Sequence, residues 1–284
     1  MIIDAHCHMF TPKLVRNVAS KTQMVAELCL DTENAYRRLS AHSLEAAAAL
    51  HNVDACILLP TAYAQRVKDE NNFFMRFTNG SNRIKTLATL HPSMTDMEPE
   101  IHRIFSLGIR GFKLSSFTQR FDLESPETIK MLRAVERAGL IFGWKPVVVF
   151  DTFVAADIYF GANPMYLTTP KKLAQIVDRH KGLRIIAAHM GGLTADFQDI
   201  VSSLKPCENL YLDTSNAAHT LREEEFISLL RIHGPDHILF GTDWPWFHYR
   251  DEIPLIRSLL FKAGWTKKHV DMVFGANASD VFGL

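Results

Sequence analysis

The chain has 284 residues, of which 47% are hydrophobic, and its 31 Lys and Arg residues balance its 31 Asp and Glu residues. This length fits one α/β barrel of about 250 residues or two smaller domains. A formal net charge of zero gives no support for a nucleic-acid partner or a membrane surface. The four cysteines lie apart, and the chain begins without a basic and apolar leader, so we expect free thiols and a cytoplasmic location.

The first eight residues combine a short apolar run with two histidines that lie two positions apart. Because side chains alternate between the faces of a strand, His6 and His8 are predicted to share one face with Asp4. The opposite face is assigned to the other residues of this strand, Ile3, Ala5 and Cys7. Two imidazoles at the end of a strand can bind one metal ion, although His-x-His also occurs in strands by coincidence.

Apolar runs and helix-start signals alternate through the rest of the chain. Further strands are predicted at 53–60, 84–90, 109–114, 147–150, 184–189, 210–213 and 237–243. Helices are predicted near 42–51, 69–79 and 98–107, with further starts at Ser125-Pro126, Thr169-Pro170 and Thr266. Gly139 is predicted to end the helix that begins after Ser125. The segment 9–40 has a poor pattern that allows one or two helices.

Eight predicted strands that alternate with helices indicate an α/β fold, a single (β/α)8 TIM-type barrel domain over residues 1–284. A doubly wound open sheet is the alternative, but no glycine-rich phosphate loop follows any of the strands. Catalytic groups of such barrels lie at the carboxyl ends of the strands. The candidates at these ends are His6, His8, His91, Lys113, Asp151, His189, Asp213, Asp243 and Trp244.

Four of these strand ends carry motifs that resemble the amidohydrolase superfamily, in its amidohydrolase-related branch of metal-dependent hydrolases and decarboxylases. The matching pieces are DAHCH at 4–8, GFKL at 111–114, HMGG at 189–192 and GTDWP at 241–245. The tail FGANA at 274–278 also resembles the C-terminal helix of the branch. Each motif is short, but four motifs in the expected order on the expected strands are specific.

The resemblance implies that His6, His8 and Asp243 bind a divalent metal, for which zinc is the first expectation and manganese the second. Asp243 would also take a proton from the water that the metal activates. His189 would polarise the substrate carbonyl or act as an acid or base, because the pKa of imidazole lies near the working pH.

The fifth predicted strand departs from the pattern of the superfamily. That pattern usually ends the strand with a histidine ligand four residues after a proline such as Pro146, where this chain has Phe150. Asp151 would face the opposite side by alternation, so it is a candidate metal ligand only if a bulge redirects it. Without it, the other three ligands and a water molecule would form an open four-coordinate site.

Lys113 lies on the fourth predicted strand. In two-metal relatives a lysine of this strand is carbamylated and bridges the metals, but that arrangement normally also needs the strand-five histidine. We therefore expect an unmodified Lys113 that orients the substrate or Asp243, with a structural ion pair as the alternative. His91 and Trp244 are also assigned to substrate binding, and a packed, hydrogen-bonded role is the alternative for His91.

Three functions fit these residues. The leading interpretation is a metal-dependent hydrolase of a small-molecule ester, lactone or amide that uses a metal-activated water. A non-oxidative decarboxylase of a small aromatic or enoic carboxylic acid would use the same residues, and a metal-free ligand-binding barrel is the third interpretation. We expect a small-molecule partner and leave a homo-oligomer open. The aromatic segment 151–168 is interpreted as a lid, a subunit interface or a satellite core, and the segment 9–40 as another candidate lid.

Overall fold

Eight parallel strands form the centre of the computed structural model, which describes residues 1–284. They are β1 (Ile3–Cys7), β2 (Ala55–Leu58), β3 in two segments (Ile84–Thr86 and Ala88–Thr89), β4 (Gly111–Leu114), β5 (Val147–Phe150), β6 (Arg184–Ala187), β7 (Leu210–Asp213) and β8 (Ile238–Leu239). Each strand pairs in parallel with the next one along the chain.

The ring of strands closes between β1 and the residues that follow β8. The Ala5 N–H donates to the Phe240 carbonyl over an N···O distance of 2.8 Å, and the Asp243 N–H donates to the His6 carbonyl over 2.9 Å. A parallel bridge between Cys7 and Trp244 continues this pairing. The predicted TIM-type barrel is therefore confirmed, because an open sheet would leave these edges unpaired.

Helices connect the strands and surround the barrel. They are α1 (Pro12–Ala19), α2 (Thr22–Glu27), α3 (Thr32–Ala35), α4 (Ala41–Leu50), α5 (Val67–Thr78), α6 (Met97–Ser106), α7 (Ser116–Gln119), α8 (Pro126–Phe142), α9 (Ala156–Phe160), α10 (Pro170–Arg179), α11 (Phe197–Ser203), α12 (Ala217–Thr220), α13 (Glu223–His233), α14 (Tyr249–Lys262), α15 (Lys267–Asp271) and α16 (Asn277–Phe282). None of them is long and apolar enough to cross a membrane.

The helix starts predicted at Ser125, Thr169 and Thr266 are confirmed. The side-chain oxygen of each accepts a hydrogen bond from the backbone N–H three residues later. This bond satisfies one of the N–H groups that have no partner within the first turn of a helix. The three signals therefore correctly place the beginnings of α8, α10 and α15.

The helix end predicted at Gly139 is wrong. Helix α8 continues to Phe142 and is closed by Gly143, which has a φ of +78°. Gly139 is buried inside the helix, where an added Cβ would lie 2.4 Å from the Cδ atom of Pro146. Its small size is therefore explained by close packing against the start of β5, and not by a left-handed backbone.

Side chains of the strands divide into an inner and an outer apolar layer. Val147, Val149, Ile186 and Leu239 belong to a buried cluster inside the barrel. Their sequence neighbours belong to a larger cluster that includes helix residues, among them Val148, Phe150, Ile185, Ala187 and Ile238. The two-residue period of a strand produces this division.

The first strand does not keep this period along its whole length. Ile3 and Ala5 lie in the inner cluster, whereas Cys7 lies in a cluster with Leu44 of α4. The register of β1 against β2 shifts between Asp4 and Cys7, which marks a bulge. The prediction that Ile3, Ala5 and Cys7 share a face is therefore wrong, since the extra residue redirects the end of the strand.

Candidate metal centre and active site

Three sequence-predicted ligands converge at the carboxyl end of the barrel. The Nε2 atoms of His6 and His8 are 3.0 Å apart. The Oδ1 atom of Asp243 lies 3.4 Å from Nε2 of His8 and 3.8 Å from Nε2 of His6. These donor atoms all lie within 4.8 Å of one another, so a single ion can contact all three.

A buried carboxylate fixes the loop that carries Asp243. Asp4 accepts hydrogen bonds from the Thr242 N–H at 3.0 Å and from the Thr242 hydroxyl at 2.5 Å. It also accepts one from the His6 N–H at 3.0 Å, so it joins β1 to this loop. Asp243 itself has a φ of +62°, a conformation that costs free energy for a residue other than glycine and is common at functional sites. Asp4 thus has a buried hydrogen-bonding role.

The partners of the Nδ1 atoms set the tautomers of the two metal-binding candidates. Nδ1 of His6 lies 2.9 Å from Oδ2 of Asp213, and Nδ1 of His8 lies 3.3 Å from the Leu59 carbonyl oxygen. Both partners are acceptors, so each Nδ1 carries the proton and each Nε2 presents a lone pair. Two lone pairs that face each other at 3.0 Å repel unless a cation lies near both. The donor set therefore fits a metal ion.

The pKa values agree with the form that metal ligands need. Burial lowers the pKa of His6 to about 4 despite the nearby charge of Asp213, so the imidazole stays neutral at ordinary pH. Burial raises the pKa of Asp243, but its contacts with the imidazoles of His8, His189 and His6 outweigh this effect and hold the pKa well below its usual value. A neutral imidazole and an ionised carboxylate are the forms that bind a divalent cation.

Lys113 lies in the barrel with only 1% of its surface exposed. Its Nζ atom is buried and has no hydrogen-bond partner. Burial lowers the pKa of this amine, whereas the charges of Asp151, Asp213 and Asp243 raise it, and the net pKa is below the usual value. Three carboxylates face one amine here, and this excess of negative charge also suits a divalent cation.

Asp151 lies on the inner side of the barrel without the bulge that the sequence interpretation required. Phe150 belongs to the outer layer and Val149 to the inner one, so alternation directs Asp151 inward. Registers of β5 with both neighbouring strands are regular. The inward-facing position at the end of β5 is therefore Asp151, one residue later than the position of Phe150 that the sequence interpretation compared with the usual ligand.

Asp151 does not belong to the group of donor atoms formed by His6, His8 and Asp243. Its carboxylate accepts hydrogen bonds from the Ser115 hydroxyl at 3.1 Å and from the Phe153 N–H at 3.0 Å. Burial raises its pKa, but the charge of Lys113, the nearby His189 and the bond from the Phe153 N–H together outweigh burial and give a lowered pKa. The structure thus places Asp151 as the charged neighbour of Lys113.

His189 lies beside His6, with 4.9 Å between the ring centroids. Its Nδ1 is 2.9 Å from the Ser215 carbonyl oxygen, so this nitrogen carries the proton and Nε2 offers a lone pair. Neutral His189 can therefore accept a proton or bind a metal through Nε2. Polarising a carbonyl by hydrogen bonding would require its protonated form.

Two residues that the sequence assigns to substrate binding, His91 and Trp244, make contacts within the protein. Nε2 of His91 lies 2.9 Å from the Gln119 carbonyl oxygen, and its Nδ1 accepts a hydrogen bond from the Ser93 N–H at 3.1 Å. Trp244 is 1% exposed and stacks on Tyr249 with ring centroids 5.7 Å apart. The backbone of Trp244 pairs with Cys7 where the barrel closes, and the indole ring packs outward in the cluster that contains Cys7 and Leu44.

Several other residues lie near the site, and the sequence does not assign them a role in it. Phe10 stacks on His8, with ring centroids 4.8 Å apart, and Trp246 lies 5.2 Å from Phe10. Phe10 follows His8 closely in the sequence and Trp246 follows Asp243 closely, and this proximity is the one sequence signal that could have placed them near the site. Asp213 is a strand-end candidate in the sequence, but its bonds and those of Ser215 to the histidines cannot be derived from one sequence.

A cap covers this end of the barrel. Residues of the two segments 9–40 and 151–168 share one buried cluster, in which Val15, Met24, Phe153 and Leu167 pack with Trp246. The Tyr159 hydroxyl also donates to the Glu27 carboxylate. Of the alternatives for the segment 151–168, the structure therefore supports a satellite core formed together with the segment 9–40.

A family model described as amidohydrolase matches residues 3–284. No curated protein sequence matches the chain. An amidohydrolase from Burkholderia multivorans with bound zinc has a TM-score of 0.71 at 14% identity, and the match covers 100% of this chain and 99% of that chain.

Two further solved structures share the fold. A 5-carboxyvanillate decarboxylase from Novosphingobium aromaticivorans, with bound manganese, has a TM-score of 0.65 at 14% identity, covering 100% of this chain and 97% of that chain. A probable 2-pyrone-4,6-dicarboxylic acid hydrolase from Acinetobacter baumannii has a TM-score of 0.65 at 16% identity, covering 100% of this chain and 99% of that chain. At these identities the neighbours establish a common fold alone. Because the amidohydrolase family model matches residues 3–284, almost the whole chain, the chain belongs to the amidohydrolase family.

Proposed function

We propose that this chain is a metal-dependent hydrolase of a small-molecule ester, lactone or amide. The observation that carries the proposal is the convergence of His6, His8 and Asp243, with two lone-pair nitrogens 3.0 Å apart beside an ionised carboxylate. Zinc is the preferred ion for histidine and carboxylate donors, and manganese is the alternative. Related folds with bound zinc and with bound manganese support both choices.

Each side chain has a separate task in this proposal. A divalent ion supplies Lewis acidity, which lowers the pKa of water toward neutrality. The Asp243 carboxylate accepts a proton from the attacking water, and Nε2 of His189 offers a second acceptor nearby. The Lys113 amine stabilises negative charge on the substrate, because its Nζ is buried and not bonded to any protein group. Phe10 and Trp246 provide an apolar wall beside His8.

A decarboxylase is the second candidate, and Lys113 is the observation that favours it. A buried ammonium group without a partner suits a substrate carboxylate, and one neighbour in fold is a decarboxylase. Assays that follow carbon dioxide release and ring or ester opening in parallel distinguish the two reactions. Both candidates have a small molecule as partner, and the four free cysteines favour our proposal of a cytoplasmic location.

Metal content tests the proposal directly. Protein purified without chelators is expected to contain about one equivalent of zinc or manganese per chain. Two groups of possible donors share His6, but in the group His6, His189 and Asp213 the Nδ1 proton of His6 is already bonded to Asp213, which leaves His6, His8 and Asp243 as the open set. Removal of the metal with a chelator should abolish turnover, and return of the same ion should restore it. A chain that binds no metal in the presence of excess zinc or manganese would contradict the proposal and favour the metal-free ligand-binding barrel.

Replacement of Lys113 with methionine is expected to raise KM for a carboxylate substrate by about 10–100-fold, the value of one charge-assisted hydrogen bond. KM for an uncharged ester or lactone should change much less, so the ratio of the two KM values is the measurement. Lys85, a half-buried lysine of β3, supplies the matched control variant Lys85→Met. Equal effects of Lys113→Met on both substrates would mean that the amine does not bind the carboxylate.

A further inference from the structure

Asp213 contacts two different histidines of the site from the end of β7. Its Oδ2 lies 2.9 Å from Nδ1 of His6, and its Oδ1 accepts a hydrogen bond from the backbone N–H of His189 at 3.0 Å. The carboxylate is fully buried. One side chain therefore connects His6 of β1 to His189, two residues after the end of β6.

Ser215 completes this connection. Its hydroxyl donates to Oδ1 of Asp213, so its oxygen is left as an acceptor. This oxygen lies 3.1 Å from Nδ1 of His6 and 2.8 Å from Nδ1 of His189. The Ser215 carbonyl oxygen, 2.9 Å from Nδ1 of His189, is a further acceptor. Every group that faces the two Nδ1 atoms is thus an acceptor, and both Nδ1 atoms must carry protons.

We propose that Asp213 and Ser215 are positioning residues that hold His6 and His189 in the tautomer with the proton on Nδ1 and the lone pair on Nε2. Nε2 of His6 is then presented to His8 and Asp243, and Nε2 of His189 keeps a lone pair on the ring beside His6. Partners of this kind around metal-binding histidines fix the orientation of the ring and raise metal affinity. The inference rests on the proposed metal site, but the tautomers can be measured without metal.

The backbone also favours this role over a purely packing one. His189 has a φ of +55° and Met190 a φ of +52°, so the chain turns through two left-handed residues where β6 ends. Such a conformation needs support from its surroundings. The bond from the His189 N–H to Asp213 supplies it, while Ser215 holds the ring of the same residue. Asp213 and Ser215 therefore fix the backbone and the ring of His189 together.

The test is the variant Asp213→Asn, studied with and without metal. Imidazole ¹⁵N NMR of the metal-free protein is expected to show that His6 loses its single Nδ1-protonated tautomer, because an amide can turn a donor toward the ring. Affinity for Zn²⁺, measured by competition with a chelating dye, is expected to fall by about 10–100-fold. The matched control is Glu100→Gln, since Glu100 is another buried carboxylate and is bonded to Asn71 and Arg103 away from the site.

The outcomes are separable. Unchanged tautomers in Asp213→Asn would overturn the inference, and so would an equal loss of Zn²⁺ affinity in Glu100→Gln, which would reflect general destabilisation. If Asp213→Asn does not fold, Ser215→Ala is measured in the same way and is expected to shift the Nδ1 resonances of both His6 and His189, because each ring loses one of its two acceptors. Unchanged resonances of both rings would overturn the inference. A wild-type chain that binds neither Zn²⁺ nor Mn²⁺ would refute the proposed function, and the NMR result would still decide the positioning role.

Discussion

Replacing Asp243 with asparagine is expected to lower kcat by about 10²–10⁴-fold, the usual contribution of a positioned general base. An amide cannot accept the proton that the carboxylate takes from water, although its oxygen has nearly the same position. The carboxylate lies 3.4 Å from Nε2 of His8 and is held there by the left-handed turn at Asp243. Turnover and metal content are measured on the same preparation, so that a loss of metal is not mistaken for a loss of proton transfer.

A matched control comes from the other end of the same strand. Asp236 is exposed and precedes β8, at the end of the barrel opposite to the metal ligands. Asp236→Asn is expected to keep both metal content and kcat. Full turnover by Asp243→Asn with metal bound would show that another group accepts the proton, and the proposed mechanism would be wrong.

The second large effect is expected for His8→Ala, which removes a proposed metal ligand. Zn²⁺ affinity should fall by at least about 100-fold. Loss of a residue that only supports a ligand already costs up to about 100-fold, and loss of a ligand itself should cost more. His8 is the better choice than His6 because it is partly exposed and has one further bond, to the Leu59 carbonyl oxygen. The fold should therefore survive, and metal per chain is the direct measurement.

The exposed residue His42, in the first turn of α4, provides the control variant His42→Ala. It removes one imidazole and leaves the ligand group intact, so metal content should not change. If His8→Ala retains one equivalent of tightly bound metal, the ion must lie elsewhere. His189 would then be the next residue to replace, because its Nε2 is the remaining imidazole lone pair beside His6.

Local patterns in the sequence determined the barrel and most of its parts. Near-continuous apolar strands predict a parallel sheet that is covered on both sides, and the caps at Ser125, Thr169 and Thr266 mark helix starts. These signals depend on neighbours within about four residues, so they can be read from one chain. The same holds for the placement of candidate ligands at strand ends, since the topology brings those ends together.

Features that depend on a shift of one residue could not be predicted. The bulge in β1 changes which face Cys7 occupies, and the position of β5 decides that Phe150 packs outward while Asp151 lies inward. Because side chains in a strand alternate with a period of two, an error of one residue reverses every assignment. Gly139 shows a related error. A glycine that is required by close packing against Pro146 is interpreted from the sequence as a glycine that ends a helix.

The contacts that define the site join residues from distant parts of the chain. Residues of β1 and β7 meet where His6 is bonded to Asp213, and the same carboxylate reaches the end of β6 at His189. By itself the sequence determined the fold, the family and the main candidate ligands of this protein. Only the tertiary structure decided which candidates meet, because hydrogen-bond partners and tautomers depend on the closed barrel, where strands far apart in sequence lie side by side.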